Sequence, residues 1–93
     1  MEQTVAQCLT SAIDSVTLIN DINTNGSESD YVEAGASQTE INELVQRNVD
    51  HLEIILLYDG TDNKPNVVGS SNSKKTDCTN AITTGKAYIS SNS

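Results

Sequence analysis

Apolar residues recur at spacings of three and four in three separate stretches of this chain, and each stretch predicts an amphipathic helix. The first stripe is Val5, Cys8, Leu9, Ala12, Ile13, Val16 and Ile19, with Gln7, Ser11, Asp14 and Ser15 off it. Thr4 and Gln7 open it as a T-x-x-Q capping box, in which hydroxyl and amide take up free backbone donors. The predicted helix covers 4–20 and stops there because Asp21-Ile22-Asn23-Thr24-Asn25-Gly26 is dense in turn formers. Residues 21–37 then read as a long polar connection anchored by Ile22, Tyr31 and Val32, with a turn or short strand as alternatives for 31–34.

The second helix, predicted over 38–59, is the best-determined element. Ser37 and Glu40 form an S-x-x-E capping box immediately before Ile41, Leu44, Val45, Val49, Leu52, Ile55 and Leu56. Glu43 and Arg47 stand in the favourable order for an i,i+4 ion pair. Asn48 interrupts the stripe in the manner of the polar residue that fixes register in coiled coils. The run Ile54-Ile55-Leu56-Leu57-Tyr58 is apolar nearly all round, so it needs cover on more than one side, and Gly60 is placed to cap the end.

Residues 61–75 form a second polar connection broken by Pro65 and Gly69. A weaker third helix is predicted over 76–90, capped by Thr76 or Asp77 and striped by Cys78, Ala81, Ile82, Gly85, Tyr88 and Ile89. Gly85 costs about 1 kcal/mol relative to Ala in a helix interior, so it marks a close helix approach. The tail 90–93 is expected to fray. The fold class is therefore mainly α, three helices joined by long polar loops in one small domain spanning 1–93.

Composition sharpens this picture. With no Trp or Phe and three Tyr, the chain lacks the side chains that bury most surface, and its core is thin. A small domain of this kind leans on a staple or a neighbour, and completion by oligomerisation is expected. The seam would be Ile41, Val45, Asn48, Val49, Leu52, Ile55 and Leu56.

The net charge of −8 is unevenly placed. Residues 1–60 carry eleven acids against Arg47 alone, a balance of −10; residues 61–93 carry Asp62 and Asp77 against four lysines, a balance of +2. Direct nucleic-acid binding through phosphates is excluded by so few cations. The polarity suits neighbour contacts or docking on a basic surface, and its simplest alternative is a solvated acidic face. No stretch of the sequence has the roughly 20 apolar residues of a membrane span. The N-terminus lacks a signal-peptide pattern, although the richness in Ser, Thr and Asn resembles that of outward-facing proteins. Synthesis in a host cytoplasm and release by lysis reconcile the two.

Candidate chemistry is sparse. Asp21-x-Asn23-x-Asn25-Gly26 has the opening spacing of a calcium loop, but Val32 stands where a bidentate Glu is required, so an ordinary Asn-Gly turn is the preferred reading. Cys8 and Cys78 lie on apolar stripes and are read as reduced thiols, with a disulfide stapling the chain ends as the alternative. His51 has no nucleophile placed beside it by local spacing and reads as a helix-surface histidine. Asn25-Gly26-Ser27 fits a glycosylation acceptor, which carries weight only in an exported chain. No catalytic residue, cofactor or metal site is expected.

The stretch Asn42-Glu43-Leu44-Val45-Gln46-Arg47-Asn48-Val49-Asp50-His51-Leu52-Glu53-Ile54-Ile55-Leu56, with Thr79-Asn80-Ala81-Ile82-Thr83-Thr84-Gly85-Lys86-Ala87-Tyr88-Ile89, resembles small accessory virion proteins of tailed bacteriophages, cyanophage-like ones among them. The resemblance covers roughly the second half of the chain. It implies a non-enzymatic structural protein of the virion, a capsid decoration or cement protein or a tail-associated one. The partners it implies are further copies of the chain and the major capsid protein, with no membrane involved. The reading of a different class is an acidic phage-encoded inhibitor that mimics DNA, using Asp21, Glu28, Asp30, Glu33, Glu40 and Glu43 against a basic host protein.

Overall fold

The computed structural model describes the backbone of residues 5–56 and 73–93, and the side chains of 11–56 and 75–93. Three helices account for most of it: α1 (Val5–Asn25), α2 (Gln38–Ile55) and α3 (Ser73–Ser91). The fold is mainly α as expected, and no strand occurs among the described residues.

Helix α2 starts where the sequence places it. Ser37 sits extended as the N-cap, its hydroxyl accepts from the Glu40 backbone N–H at 3.1 Å, and the Glu40 carboxylate accepts from the Ser37 N–H at 3.0 Å. Two of the helix's orphan donors are thereby satisfied. The backbone and side-chain hydrogen bonds from Ser37 hold the Glu40 carboxyl below its usual range. A carboxyl whose pKa is lower in the folded state stabilises the fold above the unfolded-state pKa and stops doing so as pH falls through the folded value. Urea titrations of the parent and Glu40→Gln should therefore differ at neutral pH and converge once the pH falls well below the ordinary carboxyl range. The helix closes at Ile55, with the Leu56 N–H on the Leu52 carbonyl at 3.0 Å. The predicted stretch 57–59 and the Gly60 cap lie outside the described residues.

Helix α1 corrects the expected boundary. It does not stop at Asn20 but runs five residues further, through Asp21-Ile22-Asn23-Thr24-Asn25, and ends where Gly26 takes φ +57°. The reason is Ile22, fully buried one turn beyond Ile19, so tertiary burial outweighs the turn preference of its neighbours. The connection to α2 is correspondingly short: a single 3-10 turn at Gly26–Glu28, then turns rather than a strand around Tyr31 and Gly35. The capping box expected at Thr4 and Gln7 rests on side chains outside the described residues.

Helix α3 begins at Ser73, three residues before the expected start, so Thr76 and Asp77 lie within it rather than capping it. Its last residues, expected to fray, are tied by hydrogen bonds. Asn92 donates its backbone N–H and its side-chain amide to the Tyr88 carbonyl at 3.1 and 2.8 Å, and the Asn92 carbonyl accepts from Asn42 of α2 at 3.2 Å.

The buried positions reveal how the three helices meet. Ala12, Ser15, Ile19 and Ile22 in α1, Ile41, Val45, Val49, Leu52 and Ile55 in α2, and Cys78, Ala81, Gly85 and Tyr88 in α3 are spaced by threes and fours along their helices. This is the knobs-into-holes spacing of helices that pack side by side. Contacts fix the directions. Ser11 meets His51 and Ser15 meets Asn48, so α1 and α2 are antiparallel. Val49 faces Gly85 and Asn42 reaches Asn92, so α3 is antiparallel to α2 and parallel to α1. Gly85 lies at the tightest point, as its position in the stripe suggested. A Cβ there would stand 3.2 Å from Val45 and 3.4 Å from Ile19, and closer still to Val49.

Candidate functional site

The residues proposed from sequence as an assembly seam are inside the chain's own bundle. Val45, Val49 and Leu52 have no exposed surface, Ile41 and Ile55 are 2% exposed, and Leu56 is half-buried against them. They hold α2 to α1 and α3 of the same chain. Any docking by the folded molecule must therefore use other surfaces.

Asn48 links α2 to α1 within the chain. Its carbonyl oxygen accepts from the Ser15 hydroxyl of α1 at 2.8 Å, while its amide donates to the Leu44 carbonyl at 2.8 Å. Ser15 was expected off the stripe, yet it is only 5% exposed. One turn away, Ser11 and His51 Nε2 lie 2.8 Å apart. His51 is thus a half-buried rung between helices rather than a surface residue, with a partner forty positions away that local spacing could not reveal. A hydroxyl beside an imidazole is the first part of a nucleophilic dyad, but a catalyst also needs an orienting group and a place for substrate. Neither residue lines the grooves set out below among the described residues, and in this structure the pair joins α1 to α2.

The Ser15–Asn48 rung is a good subject for a double-mutant cycle. Asn48→Leu alone leaves the buried Ser15 hydroxyl without its acceptor and should cost about 1–3 kcal/mol. Adding Ser15→Ala should recover most of that loss, because removing both partners leaves nothing unsatisfied. Urea unfolding of the two single variants and the double variant checks it; a double variant as unstable as Asn48→Leu would refute the assignment.

The stretch with calcium-loop spacing, read from sequence as an Asn-Gly turn, is helical up to Asn25, and the chain turns at Gly26. Asp21, Asn23 and Asn25 are helical, and the Asp21 carboxylate is occupied by the Asn25 amide at 3.0 Å and by the hydroxyl of Ser29, which is 4% exposed. Among the described residues no group of three or more His, Cys, Asp or Glu is placed to hold a metal ion. Cys78 is buried at 2% exposure, whereas the Cys8 side chain, and with it the thiol-or-disulfide question, lies outside the described residues.

The outer surface carries the charge. Glu28, Asp30, Glu33, Glu40, Glu43, Asp50 and Glu53 are all exposed; of the proposed DNA-mimic carboxylates, Asp21 is held by Asn25 and Ser29, and Glu40 accepts from the Ser37 N–H at the start of α2. Between residues 28 and 43 there are five acids and no base. The expected Glu43–Arg47 pair does not form; the described ion pair joins Lys86 Nζ to Glu53 at 3.5 Å across exposed surface, a contact worth at most about 1 kcal/mol.

Among the described residues, grooves indent this surface at three places. One of about 200 Å³ lies between α1 and α3 and is lined by Ile13, Val16, Thr17, Asp77 and Cys78. Another, of about 470 Å³, is open and rich in amides, with Gln38, Asn42, Gln46 and Asn92 beside Ile89. The third, of about 260 Å³, lies between the 31–36 turns and α2, within the acidic region. Among the described residues no helix is long and apolar enough to cross a membrane. No protein-family model matches the chain, and neither a curated protein nor a solved structure matches it.

Proposed function

We propose that this chain is a non-enzymatic binding and assembly protein that docks through its acidic outer surface, and that its setting is the particle of a tailed bacteriophage. In that setting it decorates or cements the capsid, or sits as an accessory of the tail, against the major capsid protein and neighbouring copies of itself. The observation that carries the docking part is the base-free run of exposed carboxylates from Glu28 to Glu43 on a bundle that closes its own core. Like charges concentrated on one part of a surface destabilise a fold slightly and favour a partner of opposite sign. The phage setting rests on the resemblance of residues 42–56 and 79–89 to accessory virion proteins. Since the apolar stripe of α2 is used within the chain, copies in a symmetric array would meet through polar outer faces, each weak contact multiplied by the array.

Purified particles whose genome encodes the chain give the test. The chain should travel with intact particles through a density gradient, in a fixed ratio to the shell protein, and should be stripped by salt without shell rupture. Its absence from particles would remove the virion reading. The second reading is the acidic inhibitor, favoured by the exposure of Glu28, Asp30, Glu33, Glu40 and Glu43 together. It predicts instead tight binding to a nuclease that competes with DNA and weakens steeply with salt.

A further inference from the structure

The groove between the 31–36 turns and α2 combines three properties that seldom coincide by accident. Its walls are apolar, contributed by Tyr31, Val32, Ala36, Ile41 and Leu44. Its rim is charged, with Glu33 and Glu40 on one part and Arg47 on another. Its geometry is held in place from beneath. The buried Ser29 hydroxyl donates to Asp21 and accepts from the Tyr31 N–H at 3.2 Å, while the Val32 N–H reaches the Ser29 carbonyl at 3.1 Å. The Ala36 N–H closes the next turn on Glu33 at 3.1 Å, and the capping box fixes the Glu40 carboxylate. Pre-ordered walls of this kind reduce the entropy lost on binding.

Tyr31 is the informative residue. It is 44% exposed, the most exposed aromatic side chain described, and lies on the groove rather than in the core. An accessible tyrosine beside apolar residues is the usual composition of a binding hot spot, and its ring face attracts a guanidinium or ammonium group. The volume accommodates one branched aliphatic side chain with methylene stems beside it. The surrounding run of five acids without a base selects the sign of what flanks that side chain.

We propose that this groove is the docking site for a basic amphipathic peptide segment of a partner protein, an aliphatic residue entering between Tyr31 and Leu44 with flanking arginines or lysines against Tyr31, Glu33 and Glu40. This deepens the acidic-docking reading and rests on it. Arg47 repels cations at its end of the groove and so gives the bound segment a direction.

The probe is a fluorescein-labelled, end-capped peptide with one leucine between arginine pairs, titrated against the full chain; its counterpart carries serine in place of leucine. The leucine peptide should bind about fivefold or more tighter than the serine peptide, since burying the isobutyl group contributes about 1 kcal/mol or more. Tyr31→Ala should weaken it about fivefold, and Glu33→Gln a few-fold. Asp14→Asn, an equal charge change at an exposed α1 position away from the groove, should leave it unaltered. Far-ultraviolet circular dichroism should confirm that all three variants retain the helical fold. Equal affinity for the two peptides, equal effects of Glu33→Gln and Asp14→Asn, or no binding overturns the proposal. So does a shift of the Tyr31, Val32 and Ala36 amide resonances on concentrating the chain alone, which would assign the groove to a second copy. The particle test is independent: a chain that travels with particles yet ignores the peptide keeps its function and loses this site.

Discussion

Leu52→Asp should leave the chain unfolded in solution, without the helical circular dichroism of the parent or a cooperative melt. Leu52 has no exposed surface and lies in one buried cluster with Val45, Val49 and Ile55. Truncating such a leucine to alanine costs about 2–5 kcal/mol through lost transfer energy and the cavity left behind. A carboxylate in its place adds the cost of desolvating a charge or of keeping it protonated. Small domains hold only about 5–15 kcal/mol of stability in all, and an aromatic-poor core sits toward the lower end. From sequence, the same substitution is expected to abolish assembly. The structure moves the effect one level down, because the stripe holds the chain's own helices together. Ile54→Asp is the matched control: Ile54 is 53% exposed, so the same change one turn-face away should keep the fold. A folded Leu52→Asp chain would mean that α2 is not packed as described.

The contrast between Leu52 and Ile54 shows what the sequence conveys and what it withholds. Periodicity finds the buried stripe of α2 and the capping box finds its first residue, since both are local signals expressed within one turn. Whether a stripe faces its own chain or another is not a local property, and three-and-four spacing serves both equally. The end of α1 differs from the sequence expectation for a related reason. Every residue from Asp21 to Gly26 except Ile22 favours a turn, yet burying that one side chain carries the helix to Asn25. The third helix gives a weak signal because its axis-facing residues are mostly small: Cys78, Ala81 and Gly85. On the site side, the exposed acids were legible as acids. The groove was not, because Tyr31 and Leu44 are thirteen positions apart and meet through turns set by Ser29 and Asp21. The pairs Ser15–Asn48 and Ser11–His51 were equally hidden, being products of the helix register.

Gly85→Ala is the sharpest test of that register, since two opposing effects of known size meet there. Intrinsic propensity favours alanine by about 1 kcal/mol in a helix interior, and an exposed glycine would show that gain. At Gly85 the added methyl would overlap a γ-methyl of Val49 and press on Val45 and Ile19. Val49 cannot swing away freely, because a β-branched residue in a helix has essentially one rotamer and its surroundings are fully packed. Overpacking of this kind costs about 1–3 kcal/mol, so the net expectation is a loss of about 1 kcal/mol despite the better helix former. Gly85→Leu carries the overlap much further and should separate α3 from α2, with loss of cooperative melting. The companion change Val49→Ala makes the argument specific to this contact. It creates room where the methyl must go, so Gly85→Ala in that background should turn from destabilising to neutral or stabilising. If Gly85→Ala raises the melting temperature of the parent chain, α3 does not approach α2 at this residue and the three-and-four register of the bundle is wrong.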